Sequence, residues 1–375
     1  MSSKSSIDNE NPFIWAMGPF PPPVTGMTAL TEKFVEGLER KLPVQISNWS
    51  SGDDRQRPHK RALRVLRAVS CLAKLRLHGR VHNARLYITA NNKAGLHLTR
   101  LLVKTGRRLG YTVYLHHHTY NYIDAFDDRM GAINECMGPN DVYIVHCPQM
   151  IEDFQRQYPV KCQFEFVYPS IVSMPLGKPR TTRPTPFRLG LLANLTVEKG
   201  LDLVLDTFKS LRARKADVRL TLAGPCGTVE AERLIAAAIT EHPGLIEHIG
   251  PVFGEHKQRF FDSIDCFLFP SQTESWGIVL NESLAAGVPV IATNRGCIRT
   301  LVGNRGGVVV DDPTKYVDTA VRQIEAWISN PNDYVAYSRA AIEQADYLHR
   351  EAANQLEGVA TRICTPDVTA KPDRT

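Results

Sequence analysis

The run DCFLFPSQTESWGIVLNESLAAGVPVIAT, Asp265 to Thr293, constrains this chain more than any other stretch. Apolar residues 266–269 predict a short buried strand, followed by a polar loop, a helix over 277–286 and a second strand over 288–292. Gly287 stands just past the helix, where glycine commonly ends one. Strand, helix and strand in succession describe a right-handed crossover in a parallel sheet. Glu282 is the odd residue. Leu280, Leu284, Ala285 and Ala286 make its helix apolar on most sides, so the carboxylate is expected to be buried. Burying a charge without partners is costly, so something polar must meet it. Glu274 lies eight residues earlier, in the loop where Ser275, Trp276 and Gly277 present backbone N–H groups. A helix start at the carboxyl end of a parallel strand is where such folds bind ligands, anions in particular. Two readings remain open on these residues alone. Either Glu274 caps the helix and Glu282 pairs with a nearby Arg, or both face a ligand.

The rest of the chain bounds the setting. With 375 residues there is room for two domains with ample cores, and 43% hydrophobic with 22% charged residues is an ordinary soluble composition. No run of about 18 apolar residues suggests a transmembrane helix. The start lacks the basic-then-apolar order of a signal peptide. Eight cysteines are scattered with no C-x-x-C pair, which argues for a reducing cytoplasm and against a zinc ribbon. The net charge of +6 is concentrated between Arg55 and Arg80, nine basic residues with no acidic one. At 100° per residue, Lys60, Arg64, Arg67 and Lys74 share one helix face, and Ala62, Leu66, Val69, Ala73 and Leu77 lie on the other. Such a helix either rests on anionic headgroups or packs on its own domain. Without interleaved aromatics it does not suggest nucleic-acid binding.

Glu274-x7-Glu282 followed by Ala285-Ala-Gly-Val-Pro-Val resembles the retaining nucleotide-sugar glycosyltransferases of the GT4 type. Their pattern is close to E-G-F-G-x4-E-A-x-A-x-G-x-P-V-V; this chain has Ser275 and Trp276 for Gly and Phe, and Ser283 for the first Ala. The resemblance implies an α/β GT-B fold, two doubly wound Rossmann-like parallel-sheet domains facing a cleft. It divides the chain into a tail at 1–12, an acceptor-side domain at 13–170 and a Pro-rich linker at 171–186. A nucleotide-sugar domain follows at 187–346, then a helix crossing back at 347–365 and a second tail at 366–375.

In the first half, a strand at 13–17 leads through a Gly-Pro loop into a helix from about Thr28, an arrangement that can cradle an anion. It is not G-x-G-x-x-G, so a nicotinamide site is poorly supported. By the resemblance Gly26 lies near the donor phosphate, with Thr25, Met27, Asn92 and His117 on the acceptor side. A strand over 111–115 runs into His116, His117 and His118. Alternation sends His117 to the opposite face from its neighbours, leaving at most two adjacent ligands, so no metal is expected. The resemblance gives a histidine here a place beside the donor sugar, His118 first and His116 second.

The second half restarts with a strand at 187–193 and the loop Asn194-Leu-Thr-Val-Glu-Lys199-Gly200. GT4-type chains commonly read G-R-L-x-x-x-K-G here, with Arg and Lys on the diphosphate. Lys199 is kept and Asn194 stands in place of Arg, with Arg295 or Arg299 as compensating cations. The resemblance assigns Glu282 to the ribose and Glu274 to donor-sugar hydroxyls. Lys199, Asn194 and the amides from Ser275 to Ile278 would take the leaving diphosphate. It implies transfer from a UDP- or GDP-sugar to a glycan or lipid-linked acceptor, with retention, no cofactor or metal, and no identified nucleophile. The expected location is cytoplasmic, at the inner face of the membrane through residues 55–80. Alternatives are a sugar-nucleotide epimerase of the same architecture and a non-catalytic nucleotide-sugar binder.

Overall fold

The computed structural model describes residues 12–50, 58–81, 83–172, 174–182 and 185–365. Two compact units divide them. One comprises the residues up to 172 together with those from 352, and the other ends at 351. The expected tails, residues 1–12 and 366–375, lie outside the described residues except for Pro12.

The first unit is built on a six-stranded sheet of β1 (Ile14–Gly18), β2 (Val44–Asn48), β3 (Arg85–Thr89), β4 (Thr112–His116), β5 (Val142–Val145) and β6 (Gln163–Phe166). Every pairing is parallel, in the order β2-β1-β3-β4-β5-β6. The topological switch point, where strand order reverses, lies between β1 and β3. β2 has no counterpart in the sequence reading: three of its five residues are exposed, so it lacks the apolar run that marks the others. The core joins Ile14, Phe34, Tyr87 and Ile144 with Val359 and Ile363, from the end of the long helix Pro331–Cys364.

The helix Pro58–His78 bears on the two readings left open for the basic segment. Its buried side chains are Ala68, Cys71, Leu72 and Leu75. Of the apolar stripe read in the sequence, Leu66, Val69, Ala73 and Leu77 are exposed, the last 87% accessible, so this stripe is not the face packed on the domain. The helix has two apolar stripes, and periodicity alone does not say which one the domain buries. The side chains of Lys60, Ala62 and Arg64 lie outside the description, whereas Arg67, Lys74, Arg76 and Arg80 are exposed.

The second unit repeats the plan with β7 (Phe187–Leu192), β8 (Val218–Ala223), β9 (Ile246–His248), β10 (Cys266–Phe269), β11 (Val290–Thr293) and β12 (Gly307–Val310). All are parallel, in the order β12-β11-β10-β7-β8-β9. Chain order therefore reverses between β7 and β10. Buried Asp265, just before β10, locks this junction: its carboxylate accepts from Arg188 Nε at 2.9 Å and from an Arg188 terminal nitrogen at 2.7 Å. Residues expected to form a linker are bonded to this unit, with Gly177 N donating to the Ala285 carbonyl at 2.7 Å and Arg180 N to Ser338 at 2.7 Å.

Candidate functional site

The carboxyl ends of β7 and β10 carry the two loops that hold most of the expected donor residues. After β7, Thr196 caps a single 3-10 turn, Val197–Lys199, and Gly200 follows with φ +77°. A Cβ at Gly200 would stand 2.4 Å from the Pro270 carbonyl oxygen, so only glycine lets this loop lie against the one after β10. That contact explains why Lys199 is followed by glycine. The loops are stitched together by the Gln272 amide, which donates to the Glu198 carbonyl at 2.9 Å, and by Thr273 Oγ1 on the Glu198 carboxylate.

Lys199 and Glu274 meet at this junction. Lys199 Nζ lies 3.2 Å from Glu274 Oε2 and also donates to the Thr273 carbonyl at 3.0 Å and to Ser271 Oγ at 3.3 Å. Both side chains are partly exposed, so the pair is preorganised yet open to a ligand. Glu274 does not cap the following helix; its Oε1 accepts from the next amide, Ser275 N, at 3.2 Å.

That helix, Ile278–Ala285, starts at Gly277 with φ +80° and has no side-chain cap on its first turn. An uncapped first turn leaves N–H groups directed outward with the positive end of the helix dipole, an arrangement suited to an anion. Ser275 and Ile278 are half-buried, while Trp276 is 1% exposed and can offer a ligand only its backbone.

Glu282 is buried as expected, 6% exposed, but its partner is not an arginine. Lys257, on the helix Glu255–Ser263, donates to Oε1 at 2.8 Å and Oε2 at 2.9 Å. Burial pushes the carboxyl pKa up, and the Lys257 ammonium opposes that shift. An ionised carboxylate has about four acceptor positions, so two remain for ligand hydroxyls. Lys257 was missed because nothing local marks a lysine 25 residues upstream.

Asn194 is exposed and packs beside Gly227. Of the two arginines considered as substitutes, Arg299 is paired with Asp311. Arg295 reaches the site loop, its Nε donating to the Gln272 carbonyl at 3.1 Å.

In the first unit, the helix after β1 runs Gly26–Glu39, starting two residues before the expected Thr28. Thr25 and Thr28 form a reciprocal capping box, which already engages the Thr28 amide. Gly26 is exposed and Met27 half-buried in the first turn, and exposed Asn92 caps a short 3-10 turn. β4 ends one residue later than expected, at His116. His116 is fully buried, its Nδ1 2.7 Å from the Tyr87 hydroxyl. His117 is fully buried on the opposite face, its Nδ1 3.0 Å from the Tyr122 hydroxyl, so it presents no surface to an acceptor. His118 is half-buried and the only one of the three with an accessible edge. The expectation that at most two rings could meet needs correction. His146, just past β5, lies with its ring centroid 5.8 Å from that of His116 and 5.5 Å from that of His118. Adjacent parallel strands bring this residue in from 28 positions away, where sequence spacing gives no sign of it. Desolvation drives the pKa of His146 and His117 down to about 3 and lowers those of His116 and His118 as well.

Two doubly wound units with all-parallel sheets are a GT-B architecture, and a cation, two carboxylates and an uncapped helix start gather at the switch point of the second. The comparisons agree. Residues 178–344, most of the second unit, match the family model for glycosyl transferases group 1. D-inositol 3-phosphate glycosyltransferase of Paenarthrobacter aurescens is 30% identical over 145 residues, 37% of this chain and 36% of that protein. The enzyme of the same name from Corynebacterium diphtheriae is 27% identical over 265 residues, 62% and 59% of the two chains. The chain thus spans well under two thirds of these relatives. Among solved structures, Anabaena HepE in complex with UDP superposes with a TM-score of 0.64 at 12% identity, covering 94% of this chain and 99% of that one. Sucrose-phosphate synthase from Thermosynechococcus elongatus gives 0.65 at 14% identity, with the same coverage. At such identities these two establish the fold.

Proposed function

We propose that the chain is a retaining glycosyltransferase that moves a sugar from a nucleotide-diphosphate donor, a UDP- or GDP-sugar, to an acceptor hydroxyl in surface-polysaccharide or glycolipid assembly. The carrying observation is the Lys199–Glu274 pair at the β7/β10 switch point, 3.2 Å apart beside the uncapped start of helix Ile278–Ala285. In a doubly wound sheet, this is where a nucleotide binds. Lys199 and the first-turn amides are positioned for the diphosphate, and their charge stabilises it as it leaves. Glu282, held by Lys257, accepts from the ribose hydroxyls, and Glu274 from hydroxyls of the sugar. Arg295 supplies the positive charge that Asn194 lacks. UDP is favoured as the nucleotide because HepE is described in complex with UDP. Polysaccharide assembly is favoured by similarity to the Staphylococcus aureus capsular polysaccharide glycosyltransferase CapM.

No helix among the described residues is long and apolar enough to cross a membrane. The exposed stripe Val65, Leu66, Val69 and Leu77, beside Arg67, Lys74 and Arg76, suits insertion into an anionic lipid surface. That would bring the enzyme to a lipid-linked acceptor. The test is a panel of nucleotides and nucleotide sugars scored by thermal stabilisation, followed by turnover with and without acceptor glycans. One nucleotide should raise the melting point by mass action, and donor consumption should need an acceptor. Turnover without acceptor would favour an epimerase, and stabilisation without any turnover a binding protein; either contradicts transfer.

A further inference from the structure

We propose that His116, His118 and His146 form a binding site for a divalent transition-metal ion, zinc above all, in the first unit. The proposal rests on the geometry of the three rings, and its test reads metal rather than transfer. One nitrogen from each ring can be chosen so that all three lie within 4.8 Å of one another. In a tetrahedral zinc site with bonds of about 2.0–2.1 Å, ligand nitrogens are roughly 3.3 Å apart. Closing that gap takes small ring rotations, and half-buried His118 has room to make them.

His116 Nδ1 lies 2.7 Å from the Tyr87 hydroxyl, which leaves Nε2 as the nitrogen this ring can offer to a metal, and Nε2 is buried with no hydrogen-bond partner. Both ring nitrogens of His146 are likewise buried and unpartnered. Each such nitrogen has lost its hydration without gaining a partner, a cost that a cation shared between the rings would offset. A histidine ligand whose other nitrogen is held by a fixed acceptor is the usual arrangement around zinc. Neutral imidazoles select borderline cations such as Zn²⁺, Co²⁺, Ni²⁺ and Cu²⁺ over Mg²⁺ or Ca²⁺. Three ligands leave a fourth position for water or an oxygen donor.

The full chain, with any affinity tag removed and stripped with a chelator, is titrated with Co²⁺ and then Zn²⁺. The expected result is one equivalent of Co²⁺ with the strong visible absorption of a four-coordinate site, displaced by one equivalent of Zn²⁺. His146→Ala and His118→Ala should abolish the absorption, whereas His97→Ala, an exposed histidine in the same unit, should leave it unchanged. Tyr87→Phe should weaken affinity about tenfold, as loss of a supporting hydrogen bond does. Absence of the absorption in the unsubstituted chain overturns the proposal. So does an unchanged spectrum in His118→Ala, which remains decisive if His146→Ala fails to fold.

Discussion

The two units have sheets of the same size and all-parallel pairing, yet only one assembles charge at its switch point. In the first unit the switch lies between β1 and β3, and the helix after β1 is capped by its own chain through Thr25 and Thr28. In the second it lies between β7 and β10, and the helix after β10 has no side-chain cap. A capped first turn has spent donors that an uncapped one can offer to an anion. Beside the uncapped turn stand Lys199, Glu274 and the Lys257–Glu282 pair. The first unit instead gathers three buried histidines with half-buried His118, and an exposed basic helix with an apolar stripe. One fold plan thus carries a cluster of charge beside an uncapped helix start in one copy, and an exposed apolar stripe with a histidine cluster in the other.

Four substitutions bear on this contrast, the largest effect first. Lys199→Ala should lower kcat/KM for transfer about 10²–10³-fold, the range for removing one preorganised donor from a developing anion. Steady-state kinetics measure it, and a loss below threefold would break the contrast at its centre. On the first unit, the double substitution Leu66→Asp with Val69→Asp should weaken binding to anionic vesicles about a hundredfold. That figure follows from roughly 1.5 kcal/mol per apolar side chain withdrawn from the lipid. Nucleotide affinity should not change in a parallel titration.

Glu282→Gln should weaken nucleotide binding about tenfold, the loss of one charged hydrogen bond, as read by calorimetry. The raised pKa of Glu282 gives this a pH signature. In the unsubstituted chain, affinity should begin to fall, on acidification, at a pH above the ordinary carboxylate range; in the Gln variant that dependence should disappear. For stability the sign is opposite. A folded pKa above the unfolded one contributes stability in acid that is lost as pH rises through the folded value. The Gln variant should therefore lack that downward slope in denaturant melts. The smallest effect is Thr25→Ala, which removes a helix cap and should cost about 1 kcal/mol of stability. Its UDP affinity should be unchanged if the nucleotide sits, as proposed, at the switch point of the second unit.

The sequence marked the second unit better than the first, for physical reasons. β10 matched its expected bounds, Cys266–Phe269, because a central parallel strand buried on both faces is a continuous apolar run. Glu282 was detectable as a charge inside such surroundings, and Lys199 as a cation fixed before a glycine. β2 escaped notice because an edge strand with three exposed residues carries no such run. Which face of Pro58–His78 is buried stayed open in the sequence because two apolar stripes compete and tertiary packing selects one. Lys257 and His146 are brought in from other elements by the parallel crossovers, and local spacing carries no trace of either.

The central claim is that the β7/β10 switch point binds a nucleoside diphosphate through Lys199. Isothermal titration of UDP and GDP into the unsubstituted chain and into Lys199→Ala tests it most directly. The account predicts one site for one of the two nucleotides, weakened at least tenfold by the substitution. Equal affinity in both proteins, or no binding of either nucleotide to the unsubstituted chain, would contradict it.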